Sequence, residues 1–149
     1  PLHAALPIYV PDADRAGHAH GWTSPAYAAA ARRLDAALGA LIRMTDVVDD
    51  PSTVLIAFSD HGGGGARPRD HDSRHPLDTT IPIVIAGGRV ATGDLAPFTS
   101  LLDIPPTVAW ALGVPVPEAY SGRILVESFA FPRHPAAAVA ATAAREQAA

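Results

Sequence analysis

The sequence predicts an α/β domain with a mostly parallel sheet and helices on both of its faces. Three observations carry this prediction. The runs Val54–Phe58 and Ile81–Ile85 are apolar almost throughout, the pattern of strands covered on both sides rather than half exposed. A long stretch before the first of them, from Ser24 to Ile42, repeats apolar residues at helical spacing. Directly after the first strand come Ser59-Asp60-His61-Gly62-Gly63, polar chemistry at the carboxyl end of a buried strand, where open α/β sheets collect their ligands.

The elements can be justified in chain order. Residues 1–8 are expected to be a non-native leader, because Ala5-Leu6-Pro7-Ile8 is what one reading frame of a common sequencing-adapter end encodes. The short apolar run Ile8-Tyr9-Val10 leads into Pro11–Gly21, a polar segment rich in Asp, His and Gly. A helix then begins with Ser24 as N-cap and Pro25 at its first position, and Tyr27, Ala31, Leu34, Leu38, Leu41 and Ile42 form its apolar stripe. Arg32, Arg33 and Asp35 read as its solvated face. After the strand at Val54–Phe58, Gly62 to Gly65 allow a sharp turn and close approach of the backbone to a ligand. A polar loop runs on to Thr80, and the second strand follows at Ile81–Ile85. A second helix is predicted from Pro105 or Pro106 to Leu112, stopped by Gly113 and Pro115. Residues 133–149 read as an Ala-rich tail with a frayed helical character.

The candidate site residues fall in three places. Asp60 and His61 sit at the strand end, Asp14 and His18 form an Asp-x-x-Gly-His arrangement, and His71 and His75 occupy the polar loop. Carboxylates with neutral imidazoles are the mixed donor set that suits zinc and similar divalent ions, and three protein ligands with an open position define a catalytic metal site. His20, two residues after His18, flanks the site. Asp70, Asp72 and Asp78 read as turn residues or loop charges. Taken alone, the strand-end motif is equally compatible with a surface turn.

Taken together, the motifs resemble the alkaline phosphatase superfamily, and within it the type I phosphodiesterase and nucleotide pyrophosphatase branch. The resemblance runs from about Tyr9 to about Glu127. It implies an alkaline-phosphatase-like three-layer sandwich, of which residues 9–132 are the C-terminal part of the catalytic domain. The family's Asp-x-x-Gly-His-x-x-Gly motif is matched by Asp14, Gly17, His18 and Gly21, and its Ser-Asp-His-Gly motif by Asp60 and His61. A returning His before an Ile-Pro strand is matched by His71, which stands ten residues before Ile81. Asp103 to Gly113 also resembles a family segment.

By that resemblance Asp14, His18 and His71 hold one ion, Asp60 and His61 help to hold another, and both ions are zinc. Apart from the resemblance, His75, the nearest rival of His71, is expected to stand behind the ligands or touch substrate, and His20 to stand behind them. The reaction implied is hydrolysis of a phosphodiester or nucleotide pyrophosphate, with a small phosphate ester or nucleotide as substrate. The Thr or Ser nucleophile and one Asp ligand of the family find no counterpart upstream of Tyr9, so the 149 residues are expected to be inactive alone. Thr23 and Ser24 are not substitutes, because they lie where a helix begins.

Composition narrows the alternatives. A net charge of −4 without a basic run argues against binding nucleic acid through its backbone charge. No apolar stretch has the length of a membrane-spanning helix. Cysteine is absent, which rules out disulfides and leaves the compartment open, as it does the oligomeric state. A sulfatase-type relative would bring Lys near the site, and this chain has no Lys. A phosphomutase-type relative would differ around the metal-binding His residues. A metal-binding remnant without turnover is the rival from outside enzymology. Since imidazole must be neutral to bind a metal, activity is expected to fall in acid.

Overall fold

The computed structural model describes residues 4–130, so the tail expected at 133–149 lies outside the described residues. In chain order the elements are α1 (Asp12–His20), α2 (Pro25–Thr45), β1 (Leu55–Phe58), α3 (Pro76–Thr79), β2 (Ile83–Ala86), a 3-10 turn at Leu101–Asp103, α4 (Ile104–Ala111) and a 3-10 turn at Val126–Ser128. The chain divides into two compact units, one of residues Ile8–Gly88 and one from Arg89 onward with the short stretch before Ile8. None of the described helices is long and apolar enough to cross a membrane.

In the first unit α2 begins as its sequence dictates. Ser24 is extended, its Oγ accepts a hydrogen bond from Tyr27 N at 3.1 Å, and Pro25 follows where no amide donor is needed. The helix ends on Asp46, which takes the left-handed conformation at φ 51°, a region Asp tolerates better than most residues. It packs against α1, and Ala30 is its one buried residue. The short apolar run Ile8-Tyr9-Val10 is irregular and exposed.

The sheet differs from the expected mostly parallel one in its pairing. The described residues form a mixed helix and strand structure, consistent with a fragment of an α/β domain, with one two-stranded antiparallel sheet. Leu55 pairs with Ala86 and Phe58 with Ile83. The reason lies in the connection. Gly62 N donates to Asp78 O at 2.8 Å and Gly63 N to Leu77 O at 2.7 Å, so the chain leaving β1 folds back on itself. It re-enters beside the end it left, with Ser59 N bonded to Pro82 O at 3.3 Å. A parallel return would need a crossover helix, and α3 has only four residues. Pro82 cannot donate to a ladder, which shortens the second strand to Ile83–Ala86. Neither strand is covered on both faces: Phe58 is 49% exposed and Val84 55%.

The second unit is organised by the Asp103–Gly113 segment. The Asp103 carboxylate accepts from Ser100 N at 2.9 Å and from Arg123 N at 2.7 Å. The helix starts at Ile104, slightly earlier than predicted, and Gly113 beyond its end has a positive φ of 69°. Thr107 is fully buried; its hydroxyl donates to Asp103 O at 2.6 Å and accepts from Leu125 N at 3.0 Å. Around it Ile104, Ile124, Leu125 and Phe129 make a small apolar core.

Candidate metal centre

The site forms where α1, the glycine turn after β1 and the polar loop before α3 meet. Asp14 and His18 stand four residues apart on α1, hence on one helix face. The sequence reading did not foresee this helix, because the segment has Asp, His, Ala and Gly where an apolar stripe would announce one. Its termini explain it nonetheless: Asp12 and Asp14 lie in the first turn, matching the helix dipole, and Gly21 closes it at φ 94°.

Asp14 is the centre of the arrangement. Its Oδ1 lies 3.4 Å from His18 Nε2 and 3.6 Å from His61 Nε2, and His61 Nε2 is 3.7 Å from Asp60 Oδ1. Ligand atoms of Asp14, His61 and His71 all fall within 4.8 Å of one another. The His61 and His71 rings stack, with centroids 3.6 Å apart and planes 14° from parallel, and the His18 ring centroid is 5.1 Å from that of His71. The three sources of ligands therefore converge on one place. The grouping differs from the partition implied by the resemblance, since His61 joins Asp14 and His71 while His18 and Asp60 flank them.

The hydrogen bonds set the imidazole tautomers. His61 Nδ1 lies 2.7 Å from Gly62 O and His18 Nδ1 lies 2.8 Å from Arg69 O. A carbonyl can only accept, so each Nδ1 carries a proton, and in the neutral form that binds a metal each ring presents an Nε2 lone pair. Both lone pairs face Asp14 Oδ1, a buried oxygen with no hydrogen-bond partner. Acceptors facing an unsatisfied carboxylate oxygen are unfavourable unless a cation lies among them. The donor set, one carboxylate with imidazoles, is what zinc and similar ions take. The residues present fit a divalent metal.

Two candidates do other work. His75 is the N-cap of α3, its Nδ1 accepting from Leu77 N at 3.1 Å. His20 is exposed and lines a shallow groove between α1 and α2 with Asp12, Arg15 and Arg33, a groove that includes none of the clustered residues.

Sequence reasoning overlooked Asp78 and Trp22. Asp78, read as a loop charge, is buried. Its carboxylate accepts from Ser73 Oγ and from Gly65 N, the latter at 2.8 Å, and these bonds hold it below its ordinary carboxylate value, Ser73 contributing most. It thereby ties the glycine turn bearing His61 to the loop bearing His71. Arg67, paired with Asp70 at 3.0 Å and Asp72 at 2.7 Å, closes the same loop on its exposed side. Trp22 packs on the glycines: a Cβ at Gly17 would come within 2.6 Å of its ring and one at Gly63 within 2.1 Å, so neither position has room for a side chain. The available signal was its position directly after the Asp-x-x-Gly-His-x-x-Gly motif, in a chain with two Trp.

The family model for type I phosphodiesterase / nucleotide pyrophosphatase matches residues 4–94, which include every clustered residue. The chain belongs to that family. This places it in the alkaline phosphatase superfamily and among phosphodiesterase- and pyrophosphatase-type hydrolases. The matched phosphodiesterase segment stops short of the Asp103–Gly113 segment. Comparison with curated proteins and with solved structures gave no match.

Proposed function

We propose that this chain carries the metal-binding side of a two-ion site for hydrolysis of phosphodiesters or nucleotide pyrophosphates, with zinc as the ion. The observation that carries the reading is the buried, partnerless Oδ1 of Asp14 with imidazole nitrogens of His61 and His71 around it. Asp14, His61 and His71 hold one ion; His18 and Asp60, each against a member of that trio, are the donors left for a second. When bound, such ions polarise a phosphoryl oxygen and lower the pKa of a hydroxyl or water.

The chain's own residues orient and restrain. The carbonyls of Gly62 and Arg69 hold the protons of His61 and His18 on Nδ1, so Nε2 stays available. Asp78 keeps the His61 and His71 loops at fixed separation. Two hydroxyls of the segments that build the cluster are held in hydrogen bonds: Ser24 Oγ caps α2, and Ser59 Oγ donates to His61 O at 2.5 Å. We assign no nucleophile within these residues.

Equilibrium dialysis of the 149-residue chain against zinc tests the reading. Binding is expected, and Asp14→Ala or His61→Ala, with helical content retained by circular dichroism, should each remove at least one ion. Unchanged zinc content in both variants would overturn the site.

A further inference from the structure

We propose that Trp22 is a positioning residue for the metal ligands, an aromatic wall that fixes the imidazoles before an ion arrives. The inference rests on the metal-site reading above and adds a residue it does not include. The indole stands among side chains from three separate segments. Its ring centroid is 5.0 Å from that of His18 on α1, 6.4 Å from His61 on the glycine turn and 5.8 Å from His71 in the polar loop. The interplanar angles of 83°, 61° and 69° put all three pairs in edge-to-face orientation, the preferred geometry for rings with a quadrupole.

The indole is itself held. Trp22 N donates to Pro68 O at 3.0 Å, Tyr27 of α2 lies 6.2 Å away by ring centroid, and the ring rests on the bare backbones of Gly17 and Gly63. His18 is 44% exposed and His61 24%, so each has open space in which other rotamers would be available. A single rigid ring touching all three removes those alternatives at once, because moving any imidazole breaks an edge contact. Ligands ordered in advance spare the ion that ordering cost. The identity of the residue follows: only a large planar side chain reaches three imidazoles while lying flat on two glycines.

The test uses the 149-residue chain in a Trp110→Phe background, leaving Trp22 as its one tryptophan. Cobalt is the probe, since it binds zinc-type sites and quenches nearby indole emission. Three results are expected. Saturating cobalt quenches Trp22 emission at the same concentration at which dialysis shows binding. His71→Ala abolishes the quench. Trp22→Ala weakens cobalt binding by about 10 to 100-fold, the range for a residue that orients ligands without touching the ion, and Trp22→Phe recovers most of the loss. Unchanged affinity in Trp22→Ala, or dialysis-proven cobalt that leaves Trp22 emission intact, overturns the role of Trp22 while sparing the metal site. Absence of cobalt and zinc binding to the unaltered chain overturns the site, and this inference with it. If Trp22→Ala does not fold, Trp22→Phe and Trp22→Leu provide the comparison: equal affinities in the two would sink the aromatic wall.

Discussion

His71 and His75 lie four residues apart in one loop, and the structure gives them different work. His71 stacks on His61 and stands within 4.8 Å of the Asp14 and His61 donors, whereas the Nδ1 of His75 caps α3 through Leu77 N at 3.1 Å. Replacing each by Ala separates the roles. His71→Ala removes one of three clustered donors, and its cost should exceed the 10 to 100-fold typical of losing an outer partner, so zinc affinity should drop by more than about 100-fold. His75→Ala removes a cap, an effect of about 1 kcal/mol on helix stability. Because α3 has four residues and also carries Asp78, that loss reaches the site only through loop order, and zinc affinity should fall by no more than about 10-fold. Competition against a chromogenic chelator gives the affinities, and plasma mass spectrometry of dialysed protein gives the ion count. If His75→Ala sheds the ion and His71→Ala retains it, the assignment drawn from the geometry is wrong and the two residues exchange roles.

Three further outcomes are expected. The 149-residue chain should not hydrolyse bis-p-nitrophenyl phosphate with zinc present, since no nucleophile is assigned within it and Ser24 Oγ and Ser59 Oγ are held in hydrogen bonds; turnover abolished by Asp60→Ala would refute this. The folded state depresses the pKa of Asp78, so its stabilising effect is present above the unfolded value near pH 4 and is lost as pH falls through the lower folded value. Melting temperatures of Asp78→Asn between pH 6 and pH 3 should therefore decline less steeply than those of the parent, and parallel curves would count against it. In the second unit, Thr107→Val keeps the shape but strands the buried Leu125 N–H, a loss of about 1 to 3 kcal/mol that Thr107→Ser should largely avoid, as read from urea denaturation.

Features with a local physical cause were legible in the sequence. Ser24 and Pro25 specify the start of α2 because capping and a missing amide donor are properties of adjacent residues. The same holds for Gly113 closing the last helix. Asp14, His18, Asp60, His61 and His71 stand out because the family motifs restrict residue types and spacing, and the structure brings them close together. Their grouping was not legible in the sequence. Spacing along the chain does not say which imidazole turns toward which carboxylate, and only the folding-back of the glycine turn onto Leu77 and Asp78 brings His61 beside Asp14 and His71. Strand direction was hidden for a related reason: an apolar run looks the same in a parallel or antiparallel pair, and the backbone bonds of the connecting loop decide between them. Asp78 and Trp22 show the limit most clearly. A buried carboxylate and a surface turn residue are spelled alike, and the wall that Trp22 makes for three imidazoles exists only once segments far apart in the chain have met around it.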